Sequence, residues 1–272
     1  MIKITLLAFL SLIVSLLITP IFIKYIKKWN ITDKPNHRKV HVNPIPTLGG
    51  LAIFTSFMIG LFIVQPDNKY HLFIVGGAIV ILLIGIIDDI YNLSAKFKFI
   101  VQLGIASTIV LWGGLQVEFI NLPFGGQVEF GILSSIITIF WIVGITNAIN
   151  LIDGLDGLAA GVSSIALFTI AGMAAIMGNV YVFTMAILLL FSTVGFLRYN
   201  FYPAKIFMGD TGALFLGYMI SVLSLLGFKN VTVISFIIPN YKWFGIKKES
   251  DETKIRWDSI KKIGEDMIMI EE

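Results

Sequence analysis

Residues 72–89, LFIVGGAIVILLIGIIDD, run through sixteen apolar or small residues straight into two adjacent aspartates. At about 1.5 Å of rise per residue, a helix of this length approaches the roughly 30 Å of a bilayer's hydrocarbon core. Comparable runs recur near 4–23, 49–65, 98–113, 130–149, 158–177, 180–197 and 211–227. The chain is therefore read as an all-α polytopic membrane protein with about eight transmembrane helices. A ninth run starts at Val231 but breaks at Pro239, too short to cross. The first run continues to Lys24 without a small-residue cleavage site, so it reads as an anchoring span and not a removed signal peptide. Between the fourth and fifth runs, Leu115 to Phe130 alternates apolar and polar residues around Pro123, Gly125 and Gly126, which predicts a small external β-hairpin.

Composition agrees with the spans. Of the 272 residues, 57% are hydrophobic and 14% charged, and the mean hydropathy is +0.89, too little charge to cover a soluble domain of this size. The net charge of +3 gives no support for a nucleic-acid partner, and the lack of cysteine excludes disulfides and thiolate metal sites. Counting Lys and Arg in the short loops assigns ten to the side carrying Lys24, Lys34, Lys96 and Arg198, against three (Lys3, Lys69, Lys229) on the other. The rich side is expected to be cytoplasmic, with the N-terminus outside.

Five aspartates fall on that basic side: Asp88, Asp89, Asp153, Asp156 and Asp210. Charge near a membrane span is costly, about 2.5–3.5 kcal/mol at the span centre and less at the interface, so the cluster calls for a function. Asp88 and Asp89 close the third span in IGIIDDIYNLSAKFK, residues 84–98; adjacent carboxylates repel, which favours a bound cation or an acid–base role. Lys96 and Lys98 follow closely enough to neutralise them or to hold a phosphate. In NAINLIDGLDGLAAG, residues 147–161, Asn147, Asn150, Asp153 and Asp156 recur every third residue. They form a polar stripe that drifts by about 60° per step and must face a wet cleft or a ligand. In FMGDTGALFLG, residues 207–217, Asp210 stands between two glycines at the start of the eighth span, where a simple helix cap is an equal reading for Asp210 alone. Phe207 there reads as packing at least as readily as stacking on a ligand.

Acids, amides and lysines from three remote segments thus gather on one membrane face. Hard oxygen donors favour Mg²⁺, with Mn²⁺ as the substitute, and such ions commonly bind substrate phosphates as well. His37 and His41 are four apart but lie in KPNHRKVHVNPIPTLGG, a Pro- and Gly-rich stretch that reads as irregular loop, so a zinc site is not expected. Carboxylates at span ends on one face also argue against a cation pathway through the bilayer.

The strings PTLGG, IIDDIYNLSAKFK, NAINLIDGLDGLAAG and FMGDTGALFLG, in this order and spacing, resemble the polyprenyl-phosphate N-acetylhexosamine-1-phosphate transferases over residues 1 to about 239. Within that superfamily the chain is most similar to bacterial enzymes that load N-acetylglucosamine phosphate onto undecaprenyl phosphate for teichoic acid or other envelope polymers. The enzyme that forms the first lipid intermediate of peptidoglycan, an N-acetylmuramoyl-pentapeptide transferase, is the next nearest.

The resemblance implies attack of a lipid phosphate on the β-phosphate of a UDP-sugar, UDP-N-acetylglucosamine, releasing UMP at a bacterial plasma membrane. It also implies roles. Asp88 or Asp89 would deprotonate or orient the lipid phosphate, with Asp153 close to the chemistry, and Asp210 would bind Mg²⁺ with Asn150. Lys98 and Lys96 would contact phosphate, Asp156 would meet the uracil edge, Phe207 would stack on its ring, and Asn147 would line the substrate site. A homodimer is implied as well.

The pattern departs from the family at the end of residues 1–239, the transferase domain. Relatives continue into a cytoplasmic loop with a histidine-rich motif and further spans, whereas residues 240–272 form a polar tail of mixed charge without histidine. The tail reads as a truncated or frameshifted terminus and as a soluble helix. The alternative that follows is a catalytically impaired homologue kept as a binding or assembly partner.

Overall fold

A computed structural model of the chain describes residues 2–29, 31–33, 44–121, 127–228, 236–242, 247–255, 260–263 and 268–270. Each of the eight long apolar runs is a helix: α1 (Ile2–Lys28), α2 (Gly50–Val64), α3 (His71–Tyr91), α4 (Ala95–Ser107), α5 (Ser134–Ile152), α6 (Leu158–Ile176), α7 (Val180–Asn200) and α8 (Gly209–Phe228). Among the described residues seven helices are long and apolar enough to cross a membrane, α4 qualifying through the π-helical turn Thr108–Trp112 that extends it. The exception is α2, whose 15 residues reach only about 22 Å.

Local chemistry sets several of the boundaries. Ser94 caps α4 by accepting the Phe97 N–H, and Asn179 caps α7 by accepting the Val182 N–H. Helix α3 ends at Asn92, which adopts the left-handed conformation and returns its N–H to the Asp88 carbonyl at 2.7 Å.

The chain divides into two compact units, Met1–Ile120 with Glu129–Gly227, and Asn121–Val128 with Phe228–Glu272. In the first, α8 is the hub: 83% of its apolar window is buried, against 22% for α1. Small residues let neighbouring backbones reach it. A Cβ on Gly50 of α2 would stand 2.2 Å from the Gly212 nitrogen, and one on Gly85 of α3 would stand 2.5 Å from the Thr211 Cα. On another face, a Cβ on Gly217 would stand 2.7 Å from the Thr146 Cα of α5. Close backbone approach of this kind is how helices gain dispersion contact where lipid supplies no hydrophobic drive. Helix α1 instead packs along α7, tied by the Ser15 hydroxyl to the Ser192 carbonyl and the Tyr199 hydroxyl to the Leu16 carbonyl.

Short strands complete the description. The residue pairs β1 (Thr32–Asp33) and β2 (Ile45–Pro46) run antiparallel, and β3 (Phe119–Asn121) and β4 (Gln127–Glu129) form a two-stranded sheet where the hairpin is expected. The turn residues Pro123 to Gly126 lie outside the described residues, as do His37, His41 and the start of the ninth run. In the second unit the tail differs from expectation. Instead of a helix it forms antiparallel strands, β5 (Phe236–Lys242) with β6 (Lys247–Ile255) and β7 (Ile260–Ile263) with β8 (Ile268–Ile270). Its mixture of charge and Ile residues suits strand or helix alike, and the pairing decides for strands.

Candidate active site

Contacts between side chains bring the end of α3, the start of α4, the end of α5 and the start of α8 together, and Asp156 ties the α5–α6 link to the loop before α8. The Lys98 ammonium lies between two of the aspartates there, 2.9 Å from Asp88 Oδ2 and 2.5 Å from Asp210 Oδ2. These are charge-assisted contacts joining α3, α4 and α8. The other Asp88 oxygen accepts the Leu93 N–H at 2.7 Å, and Asp88 is 9% exposed, which makes it an interior acid with every contact oriented.

Asp89 faces elsewhere. Its Oδ1 accepts the Asp210 N–H at 2.9 Å, and its Oδ2 accepts both the Thr211 N–H at 3.1 Å and the Thr211 hydroxyl at 2.6 Å. The two adjacent carboxylates thus avoid mutual repulsion by turning to different positive partners, one to an ammonium and the other to the N-terminus of α8.

Asp210 is followed into α8 by Thr211 and preceded by Gly209, whose φ of +70° is a left-handed conformation that suits glycine. The approach to it is held by PTLGG. The Phe207 N–H donates to the Pro46 carbonyl at 2.8 Å, while Gly49 and Gly50 donate to the Phe207 and Met208 carbonyls at 3.0 and 2.9 Å. A motif that the sequence marks only by resemblance therefore has a visible task, fixing the segment that delivers Asp210.

The stripe at 147–156 divides. Asn147 donates to Gln102 Oε1 of α4 and to the Val143 carbonyl, which joins α4 to α5. Asn150 lies beside Asp210, and Asp153 is near enough to Asp210 and Asp89 to feel both charges. Asp153 lies just beyond α5, and partial burial, followed by the repulsion of Asp210 and Asp89, pushes its carboxyl up to about 7. Among the described residues its carboxylate has no hydrogen-bond partner. Asp156 accepts the Ala204 N–H at 2.9 Å, which ties the α5–α6 link to the loop between α7 and α8. Lys96 is exposed and makes no polar contact among the described residues, unlike Lys98 two residues on.

Asp88, Asp89, Lys98, Asn150, Asp153 and Asp210 are thus brought together. Asn147 sits one helical turn deeper on α5, and the Phe207 backbone bonds to Pro46 and Gly49. The sequence reading missed Gln102, Thr211 and Gly209 as partners. Gln102 had a signal, being a polar residue four positions after Lys98 in an apolar run, hence on the same helix face.

The donor set fits a hard divalent cation. Two carboxylate oxygens already converge on one cationic group, with an amide and an unpaired carboxylate beside them. No group of three or more His, Cys, Asp or Glu among the described residues is placed to hold an ion. Mg²⁺ often takes only one or two protein carboxylates and completes its shell with water and substrate phosphate.

Residues 71–228 match the family model described as glycosyl transferase family 4. The chain is 50% identical over 243 residues to a "probable undecaprenyl-phosphate N-acetylglucosaminyl 1-phosphate transferase" of Bacillus subtilis, covering 88% of this chain and 67% of the relative. A "phospho-N-acetylmuramoyl-pentapeptide-transferase" of Staphylococcus carnosus is 33% identical over 81% of this chain and 75% of its own length. An "undecaprenyl-phosphate alpha-N-acetylglucosaminyl 1-phosphate transferase" of Thermotoga maritima is 30% identical over 80% and 64%. The motifs, the helical frame that gathers them and these relatives lead to one assignment: the chain belongs to glycosyl transferase family 4.

Proposed function

We propose that the chain transfers N-acetylglucosamine 1-phosphate from UDP-N-acetylglucosamine to undecaprenyl phosphate, giving a lipid-linked sugar diphosphate and UMP. This step would initiate teichoic acid or another cell-envelope polymer. The observation that carries the reading is Lys98 held between Asp88 and Asp210, a charged site poised for phosphate at one end of a helical bundle. The 50% identity to the Bacillus subtilis relative favours N-acetylglucosamine over the N-acetylmuramoyl-pentapeptide donor of the 33% identical relative.

In the reaction, an oxygen of the lipid phosphate forms a bond to the β-phosphorus while the bond from that phosphorus to the bridging oxygen breaks, leaving UMP. Asp210, with Asn150 and Asp153, would hold Mg²⁺, which when bound neutralises charge on the diphosphate. Lys98 exchanges its carboxylate contacts for phosphate oxygens and orients the attacking group. Asp88 shares that ammonium and faces the lipid phosphate, where it takes or directs the proton. Asp156 and Phe207 serve the uridine, and Asn147 with Gln102 sets the depth of the cleft. Lys96 offers a second, peripheral charge.

Residues 1–239 form the transferase domain in this reading, with eight spans, a short ninth run, the β3–β4 hairpin outside, and the polar residues 240–272 following. The count of ten basic residues against three supports a site on the cytoplasmic face of a bacterial plasma membrane, with the N-terminus outside. The family resemblance supports a homodimer. The test is release of UMP from UDP-N-acetylglucosamine by membranes supplied with undecaprenyl phosphate. Release that needs Mg²⁺ or Mn²⁺ and disappears in Asp88→Asn is expected; metal-independent release would count against the reading.

A further inference from the structure

Three donors, all from Asp210 and Thr211, meet the two oxygens of Asp89. They belong to the first turn of α8, whose N–H groups have no partner within the helix. A helix commonly supplies its own cap from the residue before the first turn, yet here that neighbourhood offers Met208 and Gly209, which carry no oxygen on their side chains. The acceptor comes instead from α3, 121 residues earlier in the chain.

Gly209 is shaped to admit it. A Cβ there would lie 2.4 Å from Asp89 Oδ2 and 2.8 Å from Oδ1, and the φ of +70° disfavours any other residue in addition. Asp88, one peptide away, accepts no hydrogen bond from α8's backbone among the described residues; it is bonded to the Lys98 ammonium and the Leu93 N–H and lies beside the Asp210 carboxylate.

We infer that Asp89 is a positioning residue for Asp210 and not the base of the transfer, an assignment that rests on the transferase reading for its catalytic meaning. Its carboxylate clamps the first turn of α8 so that the Asp210 side chain, leaving the same residue whose N–H is held, points at Lys98. A proton delivered to Oδ2 would enter against two donors already there, and one delivered to Oδ1 would meet the Asp210 N–H. Serving as a base would therefore loosen the turn that carries Asp210. Among the described residues the Asp153 carboxylate is the acid of the site left without a hydrogen-bond partner, while Asp88 holds the Lys98 ammonium.

The test uses the full chain purified in detergent, with Asp89→Asn, Gly209→Ala and the double variant. Asparagine keeps the shape but presents an NH₂ to donors on one side of the former carboxylate, and alanine at 209 displaces Asp89 without altering it. Three readouts are taken: hydrogen exchange across residues 207–214, Mn²⁺ affinity from its paramagnetic resonance signal, and UMP release. Both single variants are expected to speed exchange in the first turn of α8 by about 10-fold. They should also weaken Mn²⁺ by about 10- to 100-fold, as loss of a group orienting a metal ligand does. The double variant should add little to either, since both break one contact. Lost turnover in Asp89→Asn with wild-type exchange and wild-type Mn²⁺ affinity would overturn the assignment and make Asp89 the base. If the wild-type chain neither binds Mn²⁺ nor releases UMP, the transferase reading fails, while the exchange result still decides whether the clamp exists.

Discussion

The α3–α8 junction and the α5–α6 link both carry paired aspartates, but one is closed on itself and the other is open. At the junction, Asp88, Asp89 and Asp210 are all bonded, to Lys98, to backbone N–H groups and to the Thr211 hydroxyl. At the link, Asp156 has a single backbone partner and the Asp153 carboxylate has none among the described residues. A satisfied carboxylate holds structure, whereas an unsatisfied one near a membrane interface costs free energy that a ligand can recover. The junction is thus the bonded frame of the candidate site, and the link is the part with acceptor capacity to spare.

After the complete loss expected for Asp88→Asn, removing the other frame carboxylate that faces the cleft should have the largest effect. Asp210→Asn is expected to lower UMP release by about 10²- to 10³-fold, the range seen when one preorganised electrostatic group is lost. If Asp153→Asn proves far more damaging than Asp210→Asn, the division between frame and opening is misplaced. Next in size is packing against the hub. Gly50→Ala, with its Cβ 2.2 Å from the Gly212 nitrogen, should destabilise the bundle by about 1–3 kcal/mol, read as a lowered midpoint of thermal unfolding in detergent. Thr211→Val removes one hydroxyl from the carboxylate of Asp89 and leaves the backbone donors, so a loss of about 1.5 kcal/mol is expected by the same measurement.

A pH dependence tests the open side. With its carboxyl pushed up to about 7, Asp153 keeps a proton in the folded chain that the unfolded chain has released above about pH 4. Its contribution to stability is therefore fully present below about pH 4, falls as pH rises toward 7 and is gone above it. Unfolding midpoints across that window should decline in the wild type and show a shallower slope in Asp153→Asn; equal slopes would place Asp153 in a wetter setting. The smallest effect belongs to the exposed lysine. Lys96→Ala should raise the KM for the lipid phosphate by no more than about 5-fold, in keeping with the roughly 1 kcal/mol ceiling of exposed charge contacts. Lys98→Ala should cost far more turnover.

Much of this was legible before any coordinates. Eight apolar runs became eight helices, because length and lack of charge leave the backbone little choice in a bilayer. Strict alternation of short links then forces the aspartate-bearing ends to one side. What composition could not separate was Asp88 from Asp89: a shift of one residue turns a helical side chain by about 100°, and its partner depends on which helix packs there. The same holds for Asn147, whose bond to Gln102 exists only because α4 lies against α5. The tail was misread because its mixture of charge and Ile residues suits strand or helix alike, and only pairing decides between them.

The sequence by itself determined the membrane class, the number of apolar segments and the identity of the acids, since burial in lipid and the chemistry of phosphate constrain residue type directly. Tertiary structure alone decided which acid serves which partner. Lys98 meets Asp88 and Asp210, and Asp89 caps α8, because residues up to 122 positions apart are brought within hydrogen-bond reach by helices that approach closely at Gly50, Gly85 and Gly217. Hydrogen bonds act over about 3 Å, and no pattern along the chain encodes a distance that short between segments so remote.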